Sequence, residues 1–214
     1  MNELLPGVFH WSAVRPNIGQ VVHSHYFAPG RAVFDPWLPE DPEPVLDVLR
    51  ERGVDQIVLS VRHHWRSSSA VRDAVGGVPV LCHEAGLWEF EGDDDRVAEP
   101  YAPPVDLAPG LRALTFGAIC PDDAAFALEA GDGALLLGDG LIRWDGELAF
   151  VPDFLLGDPE ADRRALLEGL QRLLDEAEFD SLLMAHGDPL IGGGRAALEA
   201  FVAEGGRSHS APTR

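Results

Sequence analysis

Three short polar clusters could carry chemistry in this chain of 214 residues. One is the run Arg62 to Arg66, which reads Arg-His-His-Trp-Arg; the others are Gly138-Asp139 and His186-Gly187. Each cluster directly follows an apolar run, so each predicts a polar group at the end of a buried strand. Imidazole and carboxylate groups ligate divalent metals and also act as acids and bases, so the clusters predict a metal-binding or catalytic site.

The segments around the first cluster indicate an α/β arrangement. Gln56 to Leu59 is an apolar run that predicts a strand, and the apolar spacing from Val45 to Leu49 predicts a helix before it. Ser67 to Val75 predicts a short helix, and Val78 to Cys82 predicts a second buried strand. Parallel strands joined by helices expose their carboxyl ends at one sheet edge, where such proteins bind ligands.

Two further segments contain histidines that could belong to a site. His83 and Glu84 follow the second of these strands and could lie beside His63 at the same sheet edge. The alternative is that His83 is a half-exposed strand-end residue, and the sequence does not decide between the two. His23 and His25 share one face of a predicted strand, and we interpret them as partly solvated positions rather than metal ligands.

The second half of the chain continues with strands and helices. The predicted strands are Leu111 to Phe116, Ala124 to Ala130, Ala134 to Leu137 and Ser181 to Met184, and the predicted helices are Glu160 to Ala177 and Arg195 to Ala203. Between the halves, Glu91 to Pro104 is rich in acids and prolines and predicts a solvated loop. It lacks the ligand rhythm of a calcium loop, so we do not interpret it as a metal site.

Composition excludes several classes of partner. The formal net charge is -20 and the sequence pI about 4.5, and such a field repels nucleic acid and anionic membrane surfaces. The N-terminal residues carry no basic segment before an apolar run, and no apolar stretch reaches the length of a membrane span. Cys82 and Cys120 are isolated thiols, which fit a reducing compartment, so we expect a cytoplasmic protein.

The three clusters resemble, in chain order, the metal-binding motifs of the metallo-β-lactamase superfamily. In that family a strand ends in Thr-His-x-His-x-Asp-His. Ser60 takes the place of the threonine, Val61 that of the first histidine and His63 that of the second. Trp65 then replaces the aspartate and Arg66 the last histidine. Asp139 matches the aspartate that bridges two metals, and His186 matches the histidine of a His-Gly pair that supplies the last ligand.

The resemblance breaks at another position. The family carries its third histidine in a Gly-His-Thr-Pro-Gly type of loop, and the corresponding segment here, Gly117 to Asp123, contains no histidine. Cys120 could act as a soft substitute ligand, although a buried thiol is the simpler interpretation.

The resemblance implies a fold and a set of site residues. The fold is a four-layer αββα sandwich of two mixed sheets formed by residues 1–204, with residues 205–214 expected to be a disordered tail. The implied metal ligands are His63, Asp139 and His186, with His64 or His83 as possible additions. The surrounding pocket is expected to include Arg62, Trp65, Arg66 and Glu84.

Three functions remain compatible with so depleted a ligand set. The first is a non-catalytic protein that binds a small molecule or regulates, with no metal. The second is a hydrolase of an ester, lactone, thioester or phosphodiester with a single zinc, iron or manganese ion. The third is a structural role with a vestigial pocket. A small-molecule ligand is the expected partner, and the sequence leaves the oligomeric state open.

Arg66 carries a further expectation. It stands where the family has a metal-binding histidine, so its guanidinium should point toward the metal position. A carboxylate there needs a positive charge nearby, because burial of an unpaired charge costs several kcal/mol. We therefore predict that Arg66, or failing it Arg62, pairs with Asp139.

Overall fold

The computed structural model describes residues 1–16 and 19–207. In chain order the strands are β1 Asn2–Leu5, β2 Val8–Arg15, β3 Gln20–Phe27, β4 Ala32–Phe34, β5 Gln56–Val58, β6 Val80–His83, β7 Glu99–Tyr101, β8 Val105–Ala108, β9 Leu111–Thr115, β10 Ala124–Leu128, β11 Ala134–Leu137, β12 Ile142–Trp144, β13 Glu147–Ala149 and β14 Ser181–Met184. The α-helices are α1 Glu43–Arg52, α2 Ser68–Val75, α3 Pro159–Glu176 and α4 Gly194–Ala203, and short 3-10 helices cover Arg62–His64, Glu84–Phe90 and Asp153–Leu155.

Two mixed sheets form the centre of the molecule. The first runs β1-β2-β3-β4-β5-β6-β7, antiparallel as far as β4 and parallel from there on. The second runs β14-β11-β10-β9-β8, with β11 and β14 parallel and the other pairs antiparallel. Parallel β4 and β5 therefore end at one edge of the first sheet, and parallel β11 and β14 end at one edge of the second.

Three apolar cores separate four layers. Phe34 and Val58 of the first sheet pack with Phe126 and Leu136 of the second in the core between the sheets. A second core lies between the first sheet and α1 and α2, and a third lies between the second sheet and α3 and α4. The predicted αββα sandwich is confirmed.

Helix α3 shows why the sequence places helices on the outside. Asp158 begins it, and its carboxylate accepts hydrogen bonds from the amides of Glu160 and Ala161, which have no partner inside the helix. Leucines at helical spacing, Leu166, Leu170, Leu173 and Leu174, form one buried face, while the opposite face is charged.

The predicted loop from Glu91 to Pro104 contains a strand that the sequence did not reveal. Within it, β7 pairs with β6 in parallel at the edge of the first sheet. Pro100 lies inside β7 and argued against a strand, because proline lacks the amide donor of a sheet ladder. An edge strand tolerates this, since only one side of it is paired.

At the C-terminus, part of the predicted tail lies against Phe150, the residue after β13. The Phe150 amide donates a 2.8 Å hydrogen bond to the Arg207 carbonyl. Residues 208–214 lie outside the described part of the chain. Over the described ranges, no helix has the length and apolar character needed to cross a bilayer.

Candidate functional site

The ends of four strands meet where the two sheets share an edge. Asp35 follows β4, Ser60 follows β5, Asp139 follows β11 and His186 follows β14. A backbone hydrogen bond joins the two sheets here: the His23 amide of β3 donates to the carbonyl of Ala185, which follows β14, at 2.9 Å. The topology alone therefore brings polar residues from distant parts of the sequence to one place.

His64 is fixed by the first sheet. Its Nδ1 lies 3.0 Å from Asp35 Oδ2, and the Ser60 hydroxyl donates to the same oxygen at 2.6 Å. The Ser60 amide donates to the other carboxylate oxygen at 2.9 Å. All three residues are buried. Asp35 thus fixes the orientation of the imidazole and directs its Nε2 away from the first sheet.

Asp139 receives both site histidines on one oxygen. His64 Nε2 and His186 Nε2 each lie 3.2 Å from Asp139 Oδ1. Desolvation would raise the pKa of Asp139, but the charge of His64 and the hydrogen bonds of His186 and His64 outweigh it and hold the pKa well below its usual range.

The two histidines differ in charge. Burial and Arg66 lower the pKa of His64, but Asp139 and Asp35 outweigh them and raise it to about 9. His64 is therefore an imidazolium at neutral pH. Burial lowers the pKa of His186, and its bond to Asp139 offsets this only in part.

Arg66 extends its guanidinium into the same cluster. Its Nη1 donates to the main-chain carbonyls of His23 and Asp35 at 3.1 and 2.9 Å. Its Nη2 lies 3.3 Å from His64 Nε2 and 3.5 Å from His186 Nε2. Arg66 and Asp35 have positive φ angles of 48° and 45°, which non-glycine residues adopt at a cost and which cluster at functional sites.

The predicted pairing of an arginine with Asp139 is wrong in detail. Asp139 forms its ion pairs with His64 and His186, while Arg66 lies beside those histidines and acts on Asp139 only through its charge. Arg62 is bound elsewhere: its guanidinium pairs with buried Asp122, and its amide donates to the same carboxylate at 2.8 Å. Arg66 does point toward the expected position.

The structure places His64, rather than His63, with Asp139 and His186. The strand ends at Val58, and the 3-10 helix Arg62–His64 follows. Strand alternation no longer applies in this helix, whose successive side chains point about 120° apart. His64 therefore turns inward and is buried, and His63 is exposed on the cavity wall.

Three other predicted site residues lie away from the cluster. His83 Nδ1 accepts a 3.0 Å hydrogen bond from the Ala85 amide, and its ring packs edge-on against Tyr101. Trp65 is buried in the core beneath α1 and α2, where it contacts Phe90. Glu84 is exposed. Trp65 packs inward into this core, and the 3-10 helix Glu84–Phe90 begins directly after β6. These side chains therefore do not reach the site.

We expected His23 and His25 to be partly solvated, and this prediction is wrong. Both are buried in β3, which lies between β2 and β4 in the first sheet. The His23 ring lies 2.8 Å from His10 Nε2, and burial lowers its pKa to about 4.

A cavity of about 1030 Å³ opens above the cluster. Its lining includes Asp139, His186 and Asp123, together with Arg62 and His63. Its apolar wall includes Ile142, Val151, Phe154 and Leu155. Phe154 and Leu155 are 76% and 59% exposed, which is unusual for large apolar side chains.

Comparisons of the fold agree on one architecture. The chain aligns with DIM-1 metallo-β-lactamase exposed to ceftazidime at a TM-score of 0.72 and 15% identity, covering 95% of this chain and 94% of that one. A metallo-β-lactamase from Pontibacter korlensis gives a TM-score of 0.70 and 18% identity over 94% and 96% of the two chains. This chain has the metallo-β-lactamase fold.

A third solved relative of this fold carries metal. It is TTHA1623 in a di-iron-bound form, with a TM-score of 0.62 and 22% identity over 84% of this chain and 92% of that one. No protein-family model and no curated protein matches the sequence. The resemblance to the metallo-β-lactamase superfamily is therefore confirmed at the level of fold.

The ligand atoms of His64, Asp139 and His186 partly fit one divalent metal ion. One ligand atom each of His64, Asp139 and His186 lie within 4.8 Å of one another. The two 3.2 Å nitrogen–oxygen distances match an edge of a zinc tetrahedron, roughly 3.3 Å for ligands 2.0–2.1 Å from the metal. They also match long hydrogen bonds. The guanidinium of Arg66, close to both imidazole nitrogens, is the feature that does not fit.

Asp123 was missed as a site residue. We searched its loop for a histidine and considered Cys120 instead, yet Asp123 lines the cavity and is only 1% exposed. Gly138 is required by Ser60, with which a Cβ would clash, whereas the same Cβ would make only an ordinary 3.6 Å contact with Asp123 Oδ1. The available signal was an Asp-Asp pair directly before an apolar strand.

Proposed function

We propose that this chain is a small-molecule-binding protein with the metallo-β-lactamase fold, in which its own cations take the place of a metal centre. The observation that carries the proposal is the position of Arg66, whose Nη2 lies 3.3 and 3.5 Å from the nitrogens of His64 and His186. Those nitrogens are the ones that would ligate a metal.

Charge counting supports this proposal. The cluster contains two carboxylates, Asp35 and Asp139, and two cations, Arg66 and the imidazolium of His64. Two unit charges 4 Å apart repel by about 4 kcal/mol at an effective dielectric constant of 20, and a divalent ion doubles this. A metal bound beside Arg66 would therefore have to overcome on the order of 8 kcal/mol of repulsion.

The second candidate is a mononuclear metal-dependent hydrolase of an ester, lactone, thioester or phosphodiester. The convergence of His64, Asp139 and His186 favours it. Asp35 on His64 Nδ1 is the kind of partner that commonly orients a metal-binding imidazole. A zinc, iron or manganese ion held by these residues would activate water for attack on the substrate. The chain would orient the ligands through Asp35 and Ser60 and bind the substrate in the cavity.

Metal analysis separates the two candidates. Protein purified without a histidine tag is dialysed against chelator, then against zinc, iron or manganese, and its metal content and thermal stability are measured. The proposal predicts far less than one equivalent of metal, no turnover of the four substrate classes, and thermal stabilisation by small molecules. One retained equivalent together with turnover would establish the hydrolase instead. Absence of metal, turnover and ligand binding would favour a structural role.

A further inference from the structure

Asp123 is a group at the cavity that the proposed function leaves unused. Its side chain is almost completely buried, and neither carboxylate oxygen has a hydrogen-bond partner in the part of the chain that the structure describes. Buried polar groups are normally paired, and an unpaired one needs an explanation. A residue that faces a ligand cavity can receive its partner from the ligand.

Hydrogen bonds fix the main chain at Asp123. Its amide donates to the Cys120 carbonyl at 3.0 Å, and its carbonyl accepts from the Gly117 amide at 2.7 Å. The next residue, Ala124, donates to the Ser60 carbonyl at 2.9 Å. The main chain of Asp123 is thus tied both to its own loop and to the first sheet, which fixes the residue beside the cavity that it lines.

The charged neighbours of Asp123 are two acids, Asp139 and Asp122, and one cation, His64. Desolvation raises its pKa well above the usual range, Asp139 and Asp122 raise it further, and the charge of His64 and the nearby Ile119 amide offset only part of this. Arg62, an arginine of the cavity lining, is already paired with Asp122. No protein cation is therefore assigned to Asp123.

The rest of the cavity has the same balance. Asp145 and Asp188 add two exposed carboxylates to the lining. Arg143 also lines it, but its guanidinium donates to the main-chain carbonyls of Gly146 and Pro189. Burial lowers the pKa of His23 to about 4, which keeps it uncharged at neutral pH. The lining therefore contains more acids (Asp123, Asp139, Asp145, Asp188) than arginines (Arg62, Arg143), besides its apolar side chains.

We propose that the cavity takes an apolar molecule with a protonated amine, and that the amine binds to Asp123 while the apolar body covers Phe154 and Leu155. This inference rests on the proposed function and names its class of ligand. An ammonium group supplies the donors that Asp123 lacks. The exposed apolar wall supplies contact area, since burial of apolar surface is favourable at about 25 cal/mol per Å².

Three matched probes test the amine. Phenylbutylamine, phenylbutanol and phenylbutyrate share the apolar body and differ in head group. Their dissociation constants are measured by calorimetry on chelator-dialysed protein. We expect the amine to bind at least about tenfold tighter than the alcohol, and the carboxylate to bind weakest, because a charge-assisted hydrogen bond exceeds a neutral one.

Asp123→Asn tests the residue, and Asp188→Asn is the matched control. Both variants remove one carboxylate from the cavity, but Asp188 is exposed. Asp123→Asn should weaken amine binding to the level of the alcohol, with alcohol binding unchanged. Asp188→Asn should change amine binding by less than about threefold, because exposed charges are screened.

Several results would overturn the inference. They are no binding of the amine at millimolar concentration, equal binding of amine and alcohol, or an Asp123→Asn variant that binds the amine like the parent. Binding of divalent metal that Asp123→Asn abolishes, without amine binding, would make Asp123 a metal ligand instead. These results differ from failure of the proposed function, which would appear as retained metal together with turnover. That outcome does not depend on which of the three probes binds.

Discussion

Asp139 and Asp123 line the same cavity, and their surroundings differ. Asp139 is the less buried of the two, with its side chain 31% exposed, yet two histidines contact it and Arg66 lies nearby. Asp123 is almost completely buried and has neither a hydrogen-bond partner nor a cation of its own among the described residues.

The difference separates stability from function within one site. The cluster around Asp139 is complete in itself, because its negative charges meet an imidazolium and a guanidinium from the same chain. The carboxyl group of Asp123, by contrast, is buried without a hydrogen-bond partner among the described residues, which costs folding free energy. Variants on the two sides should therefore change stability in opposite directions.

The largest effect is expected for His64→Ala. It leaves Asp35 without its ring partner and Asp139 with one histidine fewer. Removal of one partner from a buried charge pair costs about 3–5 kcal/mol, so the free energy of unfolding should fall by that amount in urea titrations. His63→Ala is the control and should change it by less than about 0.5 kcal/mol. Equal effects of the two variants would mean that the network around His64 is not what stabilises this edge.

Arg66→Asn should have the next largest effect. Asparagine tolerates a positive φ angle, so the variant tests the guanidinium rather than the backbone. Loss of a charged donor to two main-chain carbonyls and of a cation near Asp139 should lower the free energy of unfolding by about 2–3 kcal/mol. A variant as stable as the parent would show that Arg66 does not balance the charge of the cluster.

The pH dependence should follow His64. The folded state raises the pKa of His64 from 6.5 to about 9, so its contribution is complete below pH 6.5 and is lost as the pH rises through 9. The free energy of unfolding should fall by about 2 kcal/mol between pH 7 and pH 9. His64→Gln should remove most of this slope, and His63→Ala should keep it. A parent profile that is flat over this range would contradict a charged His64.

The smallest effect has the opposite sign. Burial raises the pKa of Asp123, so this carboxyl costs stability above its unfolded pKa of 3.8 and costs none below it. Asp123→Asn should therefore raise the free energy of unfolding by about 1–2 kcal/mol at pH 7, with the gain vanishing near pH 4. Asp188→Asn should stay within about 0.5 kcal/mol of the parent. If Asp123→Asn is less stable than the parent at pH 7, the carboxylate has a structural partner after all.

Strand ends and their order were readable from the sequence. The apolar runs before Ser60, Asp139 and His186 predicted buried strands, and the motifs that follow predicted the fold and two members of the cluster. The pair Asp145-Gly146 joins β12 and β13 with positive φ at both residues, and Asp-Gly is a sequence typical of such a tight hairpin.

Side-chain direction beyond the strand ends was not readable. His63 and His64 have the same chemistry and adjacent positions, and only the 3-10 turn decides which one is buried. The bond of Asp35 to His64 depends on the pairing of β4 with β5, which brings residues 29 positions apart together. Asp123 lacked a recognisable motif, because an unpaired carboxylate becomes visible only when its surroundings are known.

Zinc titration of chelator-dialysed protein tests the central claim, that Arg66 occupies the place of a metal, most directly. The account predicts weak or undetectable zinc binding by the parent in calorimetry. It predicts at least about tenfold tighter binding by Arg66→Asn, lost again when Asp139→Asn is added, because the repelling charge is removed while the donors remain. Tight stoichiometric binding by the parent, unchanged in Arg66→Asn and dependent on Asp139, would contradict it.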